Sequence, residues 1–133
     1  MTTELQYLVL TGILSILLWV PYITNRIFLW GIGTFLNNYP EGYPKDEPVP
    51  SMWAQRAKRA HLNLVENLPA FAIVVLVANH VAPGAESAIF CSKIFFFSRI
   101  AHAFVYILAI PFLRTPLYLV GWFATLMIGF SVL

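Results

Sequence analysis

Residues 5–25 read LQYLVLTGILSILLWVPYITN and carry no charge. A helix of that length rises about 30 Å at 1.5 Å per residue, the thickness of a bilayer's hydrocarbon core. It follows Glu4 and has neither a basic leader nor a small-residue cleavage site, so it reads as a retained span and not a signal peptide. The apolar run continues past Arg26 as IFLWGIGTFL, which either extends the helix or lies at the interface with Trp30 at headgroup level. The first span is therefore placed at residues 5–30.

Working outward, residues 37–51, NNYPEGYPKDEPVPS, hold four prolines and four charges and cannot be helical throughout. They form the main cytosolic loop. Residues 52–81, MWAQRAKRAHLNLVENLPAFAIVVLVANHV, read as one helix with a polar first half, an apolar second half and a kink at Pro69. A short turn at residues 82–87 leads to a third span at 88–110, ended or bent by Pro111, and the uncharged residues 115–133 make a fourth. Short connections mean antiparallel neighbours. The expected fold is an all-α, integral-membrane, up-down four-helix bundle forming one domain over residues 1–133.

Composition agrees. The chain is 59% hydrophobic and 11% charged, with a mean hydropathy of +0.75, whereas a soluble domain carries about 25% charged residues to keep its surface wet. That excludes a cytosolic globule and a disordered tail. A single cysteine, Cys91, excludes a disulfide framework, and a net charge of +2 without a basic run excludes nucleic acid as a partner. Arg26, Lys45, Arg56, Lys58, Arg59 and Arg114 all fall on the loop side and only Lys93 near the other. By the positive-inside rule a multi-pass protein with both termini on the non-cytosolic side is expected.

The chemistry should lie where polar residues sit at the wrong depth, since an ionised group at the bilayer centre costs about 2.5 to 3.5 kcal/mol on the lenient scale. In residues 52–81, Arg56, Arg59, Asn63, Glu66 and Asn67 share one helix face, and in the third span Arg99, His102 and Tyr106 share another. Two polar stripes suggest a common cavity. Glu66 lies about 21 Å along its helix and Arg99 about 18 Å back from Pro111, so the two are expected to pair. Arg26 and Arg114 would rim the mouth. Arg56 and Lys58 read equally well as interfacial snorkelling residues, and a Glu66–Arg99 pair serves a structural role as readily as a functional one. His61, His80 and His102 are not spaced as a metal site, and no nucleophile pattern is apparent, so a nucleophile would have to come from a cofactor or substrate.

RAHLNLVENLPAF at residues 59–71 and RIAHAFVY at 99–106, with the following Arg114, Thr115 and Tyr118, resemble the MAPEG family, the membrane-associated proteins in eicosanoid and glutathione metabolism. The resemblance covers essentially the whole chain. It implies a homotrimer in the lipid bilayer with glutathione between adjacent subunits near the cytosolic side. Carried over by position, Arg59, Asn63 and Glu66 resemble glutathione contacts from the second span, His102 and Tyr106 those from the third, and Thr115 and Tyr118 those from the fourth. Arg26 matches a basic residue at the end of the first span, Arg99 joins the same set, and Arg114 resembles the arginine that stabilises the glutathione thiolate. Two departures stand out. Leu62 replaces an arginine of the prostaglandin-synthase-like branch, and the spacing from Tyr106 to Arg114 is one residue shorter; both argue against eicosanoid synthesis.

The reading is a glutathione-dependent membrane transferase or peroxidase acting on a lipophilic electrophile. A non-catalytic lipid-binding or scaffold protein of the same fold is the alternative, and a small transporter subunit a third for which no glycine-interrupted helix pair speaks.

Overall fold

The computed structural model describes residues 1–37 and 39–133; Asn38, in the expected loop, lies outside them. The described residues form five helices: α1 (Thr3–Trp30), α2 (Ile32–Asn37), α3 (Met52–Val81), α4 (Glu86–Ile107) and α5 (Arg114–Phe130). Among them α1, α3 and α4 are long and apolar enough to cross a membrane. At 17 residues, α5 rises only about 25 Å, so the expected fourth span is a shorter helix than its sequence suggested.

The burial pattern suits lipid. The buried side chains of α1 are Glu4, Thr11 and Ser15, while Val9, Ile13, Ile16, Leu17 and Val20 face outward. In water this would be inside out. In hydrocarbon, polar groups turn inward to find partners, as Thr11 does by donating to the Tyr7 carbonyl at 2.7 Å. On α3 the inward face opens with Ala54, Ala57 and Ala60, small residues that let helices approach closely. Further along, Phe71 of α3 stacks on Phe95 of α4 with ring centroids 3.8 Å apart.

α3 and α4 form the centre: each packs against α1 and against α5, whereas α1 and α5 do not touch. The end of α1 agrees with the sequence reading, and that of α4 falls earlier than expected. α1 ends at Gly31, whose φ of 78° favours glycine, and the apolar run resumes as the separate α2. α4 stops at Ile107, before Pro111. There Ala109 adopts φ 57°, its N–H donates to the Tyr106 carbonyl and the Ile110 N–H to the Val105 carbonyl, the two bonds of a Schellman cap. α3 runs unbroken as one helix through Pro69.

Candidate functional site

The resulting turn at residues 108–113 carries the chain from α4 into α5, so the last polar side chains of α4 and the first of α5 share one end of the bundle. Arg56 of α3 ties this end together, its Nε donating to the Ile107 carbonyl at 3.0 Å. A cation at a helix C-terminus answers both the orphan carbonyl and the helix dipole. The sequence had left Arg56 between snorkelling and a site role, and it serves as a clamp.

Beside this clamp is a cavity of about 230 Å³ lined by Asn63, His102, Tyr106, Arg114, Thr115 and Tyr118. Six residues expected at the site from three separate helices thus meet. Their aromatic members pack mutually: the His102 ring meets Tyr106 edge-on at 5.5 Å and lies 6.1 Å from Tyr118. The Arg114 guanidinium sits over the Tyr106 ring at 4.9 Å. Asn67 holds the Tyr118 hydroxyl, with its Nδ2 3.3 Å away, and the same Nδ2 donates to the Asn63 carbonyl at 2.7 Å. The lining is rich in donors and contains no carboxylate, a composition suited to an anionic ligand.

Arg26 and Arg59 lie elsewhere. They line a cavity of about 360 Å³ between α1, the loop and α3, together with Tyr22, Trp30, Glu47 and Lys58. Arg26 is already engaged: its Nη2 is 3.2 Å from Glu47 Oε1, and its guanidinium lies 4.9 Å from the Trp30 ring centroid. Nearby, the Tyr22 hydroxyl and His61 Nδ1 are 2.9 Å apart. Neither Glu47 nor Tyr22 was singled out in the sequence, because nothing in the periodicity says where a proline-rich loop will fold back.

The expected Glu66–Arg99 pair does not form. Glu66 is exposed on the outer face of α3, whereas Arg99 is 1% exposed on the inner face of α4. Helical spacing gives each stripe its own helix face, but not the rotation of one helix against another, and α3 turns Glu66 away from α4. Asn67, one residue on, points to Tyr118 and was passed over although it shares the same polar stripe.

The sequence profile of the MAPEG family matches residues 5–133. No curated protein matches the chain.

Proposed function

The chain belongs to the MAPEG family, and from that premise we propose that it is a glutathione-dependent transferase or peroxidase acting on lipophilic electrophiles that arrive through the bilayer. Family members are typically of this kind. The observation that carries the reading is the donor-lined cavity of Asn63, His102, Tyr106, Arg114, Thr115 and Tyr118. Donors without a competing carboxylate fit the carboxylates and sulfur of glutathione.

At about 230 Å³ the cavity falls short of the roughly 300 Å³ at which ligand pockets begin. A second copy of the chain would complete it, which accords with a homotrimer holding glutathione between subunits. The outward Glu66 then has a purpose, as the group that receives the glutathione ammonium, and the arginines Arg26 and Arg59 would hold carboxylates. Engaging Arg26 requires its release from Glu47. The arginine cluster at this end of the bundle supports a cytosolic placement of the site, with the termini opposite.

Glutathione supplies the thiol nucleophile. Arg114, its guanidinium fixed over Tyr106, would favour the thiolate over the thiol, whose ordinary pKa is about 8.5. His102, Tyr106 and Tyr118 would orient the ligand from two helices.

Purified protein in detergent is expected to bind millimolar glutathione and to display a thiolate absorbance that Arg114→Ala abolishes. Absence of glutathione binding at that concentration overturns the reading.

A further inference from the structure

Arg99 is the bulkiest of the fully buried side chains, and its Nε, Nη1 and Nη2 have no hydrogen-bond partner among the described residues. A guanidinium carries five N–H donors and cannot shed its charge, so burying one without an anion is costly and calls for a reason. Its contacts are two ring faces, with Cζ 4.9 Å from the Phe95 centroid and 4.7 Å from that of Tyr118. From α5, Gly121 presses close: a Cβ there would lie 3.0 Å from Nε and 3.2 Å from Nη2. That side has no room for a counter-ion. The carboxylates that the helices bring inward or hold in pairs are engaged elsewhere, Glu4 with Asn79 and Gly84 and Glu47 with Arg26. Glu66 faces outward.

One of the two rings that face the uncompensated charge leads to the cavity. The Tyr118 ring that covers it also lines the donor-rich cavity, as does His102, one helical turn beyond Arg99. The ring is steadied from both ends, by the cation on its face and by Asn67 at its hydroxyl. Ser98 Oγ shares the contact with Gly121 and donates to the Phe95 carbonyl; the cavity beyond is lined by His102, Tyr118 and Arg114 among others, with no carboxylate among them. Arg114 itself is exposed, where solvent screens a charge far more than in a buried site.

We propose that Arg99 is a positioning residue that acts through Tyr118, lending the sulfur of bound glutathione a positive potential from a charge that never touches it. The inference rests on the glutathione reading and deepens it. In this arrangement Arg114 is the contact cation, and Arg99 is the fixed, preorganised one behind the aromatic wall.

The test uses the full chain purified in detergent at saturating glutathione, with thiolate absorbance followed across pH. Arg99→Met keeps the bulk and removes the charge; Arg99→Lys keeps the charge. In Arg99→Met the bound thiol is expected to titrate about one pH unit higher, a tenfold loss of thiolate below that pKa, with glutathione affinity changed by no more than about threefold. kcat should fall while KM holds, and Arg99→Lys should recover most of the titration shift. A purely structural arginine would lower thermal stability without moving the titration. Wild-type titration in a folded Arg99→Met overturns the proposal. Should Arg99→Met fail to accumulate, Arg99→Gln, a neutral polar side chain, is expected to move the titration in the same direction, and an unmoved curve overturns the proposal equally. If the wild-type protein binds no glutathione, the functional reading fails and takes this role with it; binding without a shift in the variants removes Arg99 alone.

Discussion

At the scale of single residues, Glu4 shows how the protein treats charge in its interior. Its carboxylate is fully buried, and Oε1 accepts from Asn79 Nδ2 and the Gly84 backbone N–H, each at 2.9 Å. One acidic side chain near the start of α1 thereby fastens the α3–α4 turn from the far end of the sequence. Truncation strands the Gly84 N–H and leaves Asn79 Nδ2 with Thr2 Oγ1 as its acceptor, so Glu4→Ala is expected to cost about 1 to 3 kcal/mol. Glu4→Gln keeps an acceptor and should cost less. Thermal unfolding in detergent checks this against Glu86→Ala, an exposed control; equal Tm values for the Glu4→Ala and Glu86→Ala variants would contradict the fastening role. The sequence marked Glu4 only as a boundary, because its partners are 75 and 80 residues away and no local pattern joins them. Arg99 is the converse case. Its depth was legible from spacing, but its lack of an acceptor was not, since that depends on which way the neighbouring α3 faces.

At the scale of elements, the end of α4 is the part of the fold under most local strain. A Schellman cap normally places glycine at the left-handed position; here it is Ala109, and Phe112 follows with φ 65°. Left-handed geometry costs a residue with a Cβ about 1 to 2 kcal/mol, offset in part by the greater unfolded-state freedom of glycine. Ala109→Gly is therefore expected to stabilise the protein by up to about 1 kcal/mol, visible as a raised Tm. A lowered Tm would mean that the turn differs from the one described. Pro111 in the sequence correctly announced an end to the helix but not its position, because the cap closes through backbone hydrogen bonds that composition does not encode. Arg56 was equally opaque: its carbonyl acceptor at Ile107 belongs to another helix. By contrast the limits of α3 were plain from the proline-rich loop before it and the short turn after it, and the uncharged length of α1 from the cost of ionised groups in hydrocarbon.

At the scale of the whole molecule, α3 carries an ionisable carboxylate on its outer face within a membrane-spanning helix. Exposing Glu66 to lipid is expensive, and a neighbouring copy that covers it relieves that cost while completing the small cavity. Native mass spectrometry of the detergent-purified protein is expected to show three chains, and Glu66→Gln to weaken glutathione binding by at least tenfold, since a charged hydrogen-bond partner of the ligand is lost. Unchanged affinity in that variant would remove Glu66 from the site. The family motif made six cavity residues legible as a set, for it draws on three helices whose register is fixed by packing around Phe71 and Phe95. It did not reveal that Arg26 and Arg59 belong to a separate pocket of the single chain.

The shortness of α5 has a physical consequence of its own. Its first residue, Arg114, is held at the cavity, so the roughly 5 Å by which about 25 Å of helix falls short of a 30 Å hydrocarbon core accumulates entirely at the Phe130 end. Were α5 to cross a bilayer, lipid at that end would have to thin to meet it, at a fraction of a kcal/mol per ångström. The helices α1, α3 and α4 are each long enough to cross a membrane, so the shortfall belongs to α5 alone and lies at its end farthest from the cavity.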